Sequence, residues 1–381
     1  MLYLIGAALV FLSVLKPSNK KLFILISLYI IFVFGFNTSN PDYGAYRLAY
    51  MNPYRQVTSI KEPLFLFVCR LFYKLSFGYI WFRLILAIVT VAILQYCIFK
   101  LSPYPNMVSV LFVTYPFALC VVQIRSFVSL SIVVMGITYY LEQRDKKKSA
   151  VVWLLLFIII AAMFHYSAII YCVLCISACR KTSHRLFLLA VITILWGIVI
   201  DNAKGIIEIA KKFVDETKIN RYVSSPFQGG FFRSISLDLA FYTIFIRLIV
   251  VGVCVVYMLS RRDRPTEKAE YKFLDDNNVI FRMLLYTTIV SLALELGVST
   301  TYSRISRLPL ILAYILLSRY IYRSNENKAA LWLTVFIYTF VYAYISFTTQ
   351  KTVLMGEEMN QFNGVFRAIF ENNLVLKYVR G

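Results

Sequence analysis

Runs of apolar residues recur along nearly the whole chain, broken only by short polar loops, and this repetition constrains the fold more than any motif. They occupy 1–15, 22–36, 79–99, 105–121, 126–141, 149–163, 166–179, 186–200, 238–260, 279–297, 305–321 and 329–347. Backbone polar groups cannot be left open in hydrocarbon, so such stretches insert as helices. About 20 apolar residues span a bilayer, and tilt, interfacial aromatics or local thinning can complete the shorter runs. With 60% hydrophobic and only 15% charged residues, the chain lies outside the range of a soluble domain. The expected fold is an all-α, polytopic integral membrane bundle of about twelve transmembrane segments, forming one membrane-embedded domain over 1–381.

Charge placement then sets the sides. A net charge of +21 would point a soluble protein toward nucleic acid. In a polytopic chain Lys and Arg act first as topology signals, so a lipid bilayer and not nucleic acid is the expected surrounding. Lys16 with Lys20 and Lys21, EQRDKKK at 142–148, CRKTSHR at 179–185, RRDRPTEKAEYK at 261–272 and RSNENK at 323–328 fall on one side, which the positive-inside rule makes cytoplasmic. The first run has no cation before it and Lys after it, the reverse of a cleaved signal peptide, so it reads as a spanning helix that starts outside. Basic flanks on both sides of 149–179 make that stretch a hairpin turning at Phe164 and His165. The outer face then receives a polar insert at 37–78, VVQIRS at 121–126, the turn at His165, a long loop at 201–236, STTYSRISRLP at 299–309 and a tail at 349–381.

Arg or a carboxylate at membrane depth costs about 2.5–3.5 kcal/mol on insertion scales, so it persists where it meets a watery cavity or a ligand. Arg125 interrupts an otherwise apolar run and either snorkels from a helix end or, the preferred reading, binds an anion. Arg304 and Arg307 are neighbours on one helical face and repel each other unless something negative lies between them. A phosphate group meets that need through bidentate contacts; lipid head groups are the alternative. His165 is one of two histidines, and is either a satisfied turn residue or an acid–base group. In NPDYGAYRLAY, Asn40 can cap a helix, Pro41 suits its first position, and Asp42 suits its first turn. Asp42, Tyr46 and Tyr50 share one face, with Tyr43 and Arg47 on the next, a surface suited to sugars or to an interfacial aromatic belt. Glu62 heads PLFLFVCRLFYKL, an amphipathic helix expected on the outer surface. There is no Gly-rich phosphate loop, GxGxxG, HExxH or DxD motif. The seven Cys have no metal-ligand pattern, so neither a metal nor a cofactor is expected.

The order of these features resembles the EpsG-like branch of the Wzy polysaccharide polymerases. The outward NPDY insert, KEPLF, QIRS opening a helix, the LEQRDKKK loop, AAMFHYSAII and the late YSRISRLP carry the resemblance from about 30 to 320, and Arg125 followed 40 residues later by FHYS is its most specific part. It implies a metal-independent, GT-C-like glycosyltransferase in the bacterial inner membrane. Such an enzyme polymerises undecaprenyl-diphosphate-linked repeat units into O-antigen, capsule or exopolysaccharide on the periplasmic face, and a chain-length regulator is a possible partner. Carried over are Asp42, Tyr43, Glu62, Arg125 and His165, with Arg304 and Arg307. Many members have an Arg shortly before the Asp where this chain has Phe36 and Asn37, and Arg47 is the substitute. The implied roles are Arg125, Arg304 and Arg307 on the diphosphate, Arg47, Tyr43 and Tyr46 on the sugar, and Asp42, Glu62 or His165 as base, with Asp42 favoured. A lipid-linked oligosaccharide flippase and an O-antigen ligase are the alternatives.

Overall fold

The computed structural model describes residues 2–38, 40–55, 60–147, 149–178, 252, 268–297, 305–323, 328–349, 351–354, 357–360 and 373–374. The run at 186–200, the run at 238–260 apart from Gly252, the loop 201–236 and Arg304 lie outside the described residues. Twelve α-helices are described: α1 (Leu2–Leu15), α2 (Lys20–Gly35), α3 (Tyr43–Met51), α4 (Pro63–Lys74), α5 (Tyr79–Leu101), α6 (Pro105–Thr114), α7 (Phe117–Val122), α8 (Ile124–Gln143), α9 (Ala150–Phe164), α10 (Lys268–Gly297), α11 (Arg307–Arg323) and α12 (Lys328–Thr349). A 3₁₀ stretch, Tyr166–Ala178, follows α9. The all-helical expectation meets one exception, an antiparallel hairpin of β1 (Lys351–Leu354) and β2 (Glu357–Asn360) in the tail.

Helix α8 is the axis of the described bundle and packs on α5, α7, α9, α11 and the 3₁₀ stretch. Its residues Phe127, Val133, Val134 and Ile137 are fully buried. At Gly136 an added Cβ would come 2.7 Å from the Cβ of Phe157, so the absent side chain is what lets α8 and α9 lie so close. Among the described residues α5 and α8 are long and apolar enough to cross a membrane. The outward face of α9 bares Val152, Trp153, Leu156, Ile159 and Ile160. A contiguous apolar surface of that kind needs lipid against it.

Two local breaks place the site. The run expected at 105–121 is split, because Pro116 has no N–H to continue the ladder of α6 and its ring obstructs the preceding turn. Gln123 then adopts a non-helical conformation between α7 and α8, so α8 restarts at Ile124 with Arg125 in its first turn. Further upstream, α4 begins with Pro63 at its first position after an extended Glu62, where the missing N–H costs nothing. It buries Phe65 and Cys69 and leaves Arg70 and Lys74 exposed, the amphipathic pattern expected. Ser76, with φ 58°, supplies the left-handed residue that ends α4, and Phe77 N–H donates back to Phe72 O at 3.1 Å.

Candidate active site

Glu62, Arg125 and His165 come from α4, α8 and the end of α9, and the fold brings them into contact. The Glu62 side chain is 7% exposed; its Oε2 forms an ion pair with Arg125 Nη1. Its Oε1 lies 3.4 Å from His165 Nδ1, so one carboxylate holds a guanidinium and an imidazole. Burial by itself would raise the Glu62 pKa, but the hydrogen bond from His165 and the charge of Arg125 outweigh it and hold the group at about 2. Lys61 N–H adds a third contact to Oε2 at 3.1 Å. Next to the cluster Tyr166 donates to Lys61 O at 2.9 Å, fixing the chain that leads into Glu62.

Aromatic rings floor this cluster. The Arg125 guanidinium carbon lies 5.4 Å from the Tyr46 ring centre and 6.0 Å from that of Phe65, within cation–π range. Tyr46 and Tyr50 of α3 are both buried. The polar aromatic face expected to meet sugar is therefore turned inward for these two, Tyr46 under Arg125 and Tyr50 stacked on Phe82 at 4.8 Å. Arg47 remains exposed. Tyr43 is half-buried against Tyr79 and under Arg83. The start of α3 also differs in detail: Asn40 Oδ1 accepts from Asp42 N–H at 3.2 Å in a turn before the helix, and the Asp42 side chain does not cap α3.

Arg307 opens α11 and is 3% exposed. Its Nη2 donates to Gln123 Oε1 at 2.5 Å, two residues before Arg125, while Nε and Nη1 have no hydrogen-bond partner among the described residues. Both arginines thus stand in the first turn of a helix, where the dipole disfavours a cation. Among the described residues Glu62 is the carboxylate that meets Arg125, and Gln123 is the side chain that meets Arg307; the N-terminal end of a helix suits an anion.

Arg83, absent from the candidates above, is fully buried in the second turn of α5. It donates Nη2 to Phe34 O at 3.0 Å near the end of α2, a cation at a helix C-terminus, and covers the Tyr43 ring at 5.2 Å. The signal that could have found it is the one that marked Arg125, a lone Arg within an apolar run. No cluster of His, Cys, Asp and Glu that could hold a metal is present among the described residues.

At the far end of α8, Arg144 pairs with Asp275 at 2.5 Å and Asp276 at 3.0 Å. Arg319 reaches Asp276 at 3.9 Å, donates to Leu101 O at 3.2 Å and covers the Phe273 ring at 4.3 Å.

Residues 20–362 match the model of the EpsG family. Neither a curated protein nor a solved structure matches the chain.

Proposed function

The chain belongs to the EpsG family, and on that premise we propose that it is a membrane glycosyltransferase that polymerises undecaprenyl-diphosphate-linked oligosaccharide units at the outer face of the bacterial inner membrane. The proposed number of membrane spans is about twelve. The observation that carries the reading is the Glu62–Arg125–His165 contact, assembled from three distant segments beside a second buried arginine, Arg307. Among the described residues Glu62 is the carboxylate at this contact, and a diphosphate leaving group would bring negative charge to Arg125 and Arg307.

A hydroxyl of the incoming unit attacks the anomeric carbon of the donor, a new glycosidic C–O bond forms, and the bond from that carbon to the diphosphate oxygen breaks. His165 takes the hydroxyl proton. Its Nδ1 faces Glu62, which makes Nε2 the accepting nitrogen. Glu62 is too weak a base at about 2 and is a positioning residue for both His165 and Arg125. Asp42, half-buried just before α3, contacts the sugar with Tyr43 and Arg47. Arg125 and Arg307, joined by Arg304, stabilise the negative charge that grows on the departing diphosphate.

The test is deletion in the native strain and complementation at matched membrane abundance. Wild type restores long surface glycan, and Arg125→Ala leaves single repeat units. Long chains with Arg125→Ala overturn the site; loss of all surface glycan on deletion favours transport instead, and loss of attachment alone favours a ligase.

A further inference from the structure

Helix α3 is 9 residues long, and the Asp42 side chain does not cap it. A helix so short is marginal by itself and owes its place to docking. Its C-terminal half is anchored through Tyr50, which stacks on Phe82 at 4.8 Å and donates its hydroxyl to Phe77 O. The N-terminal half, with Asp42 just before it and Arg47 at its middle, meets arginines from two other helices. Arg125 of α8 lies 5.4 Å from the Tyr46 ring centre, and Arg83 of α5 lies 5.2 Å from that of Tyr43. Tyr79, one turn before Arg83, meets the Tyr43 ring edge-on at 5.4 Å, so a single turn of α5 grips that side chain.

We propose that Arg83 is a positioning residue, whose guanidinium against Tyr43 fixes the N-terminal half of α3 and with it the place of Asp42 and Arg47 beside the Glu62–Arg125–His165 cluster. The consequence for sugar binding rests on the function proposed above; the fixing of α3 does not. A purely structural tie between α2 and α5 would not call for this residue. The hydrogen bond from Arg83 Nη2 to Phe34 O could come from a neutral donor, and the two helices already touch, since a Cβ at Gly35 would come 3.2 Å from Leu84 Cα. What Arg adds is a charge, which is costly at this depth. Its Nε and Nη1 have no hydrogen-bond partner among the described residues, and its guanidinium lies over two rings, Tyr43 and, at 5.9 Å, Phe34. Cation–π attraction is strongest where water is excluded. Phe34 belongs to α2, already packed on α5, so the movable element that the charge holds is α3. An insert that meets the sugar equally in the ground and transition states alters KM and leaves kcat unchanged.

The experiment uses the full chain in lipid nanodiscs and compares Arg83→Met, which keeps the bulk and removes the charge, with Arg83→Lys, which keeps the charge. Amide hydrogen exchange in α3 should be about tenfold faster in Arg83→Met, with exchange in α2 and α5 and the unfolding midpoint unchanged. Arg83→Lys should exchange as wild type does. With lipid-linked repeat units extracted from the native strain, Arg83→Met should raise KM about fivefold with kcat within about twofold of wild type, and Arg83→Lys should restore KM. Unchanged exchange in α3, faster exchange in α2 and α5 together with a lower midpoint, or α3 exchange as fast in Arg83→Lys as in Arg83→Met overturns the proposal, and an unchanged KM overturns its link to substrate. Should Arg83→Met fail to fold, Tyr43→Leu removes the same contact from the side of the insert, with the same local acceleration expected and its absence equally fatal. Exchange is read without substrate, so the two readings fail separately. Accelerated α3 exchange in Arg83→Met alongside long glycan in Arg125→Ala keeps the role of Arg83 in the insert and refutes the polymerase site, and the reverse pattern does the opposite.

Discussion

The two ends of α8 carry arginines that solve the problem of a buried charge in opposite ways. At its C-terminal end Arg144 faces three carboxylates, Asp145, Asp275 and Asp276, and Asp276 is shared with Arg319. Three carboxylates there face Arg144 and Arg319, and Asp275 is 61% exposed. At the N-terminal end Arg125 and His165 share Glu62, and among the described residues the hydrogen bond of Arg307 goes to a neutral amide. A cation's partners, more than its burial, separate a clamp that holds helices together from the site proposed to take an anion.

Substitutions at the two ends should therefore separate into catalytic and structural effects. The largest is expected at His165: His165→Gln should lower polymerisation about 10²–10⁴-fold, the usual contribution of a general base, with an unchanged unfolding midpoint. A fall in stability in step with activity would make His165 a structural residue. Arg144→Met should do the reverse, leaving Asp276 without its main partner and destabilising the protein by about 3–5 kcal/mol, while polymer formed per folded molecule stays at the wild-type level. Loss of specific activity would erase the contrast between the ends.

A smaller effect concerns acid. Glu62 is held at about 2, below the ordinary carboxylate value of about 4.3. Its contribution to stability is full above that ordinary value and is lost as pH falls toward 2. Glu62→Gln should thus be destabilised near neutrality and flatter than wild type over the acid range, read from unfolding midpoints between pH 6 and 3; parallel curves would show that Glu62 is not the linked group. The smallest effect is expected at Asp275, where Asp275→Asn in a largely exposed pair should cost no more than about 1 kcal/mol.

The helices were legible in the sequence because apolar runs in lipid have few alternatives, and α2, α5, α9 and α11 begin and end within a few residues of their runs. Glu62, Arg125 and His165 were legible one at a time, each being costly where it stands. Their mutual contact was not, since it joins residues 63 and 103 positions apart (125 − 62 = 63; 165 − 62 = 103) and depends on how α4, α8 and α9 pack. The inward turn of Tyr46 was hidden for the same reason: helical periodicity groups Asp42, Tyr46 and Tyr50 on a face but does not say what covers that face. Arg83 was passed over because its run, 79–99, continues unbroken through it, whereas Arg125 stands at a break.

One thread of the fold concerns time as much as space. Asn37 and Asn373, both fully buried, form an antiparallel bridge, and Leu374 N–H donates to Phe36 O at 2.9 Å, so a late segment pins the approach to α3. The two asparagines are 336 positions apart (373 − 37 = 336), which at about 5–20 residues per second separates their synthesis by roughly 20 s to a minute. The insert beneath Arg125 has this anchor only once Asn373 has been made. A chain stopped before Asn373 would contain Glu62, Arg125, His165 and Arg307, yet should make no long glycan.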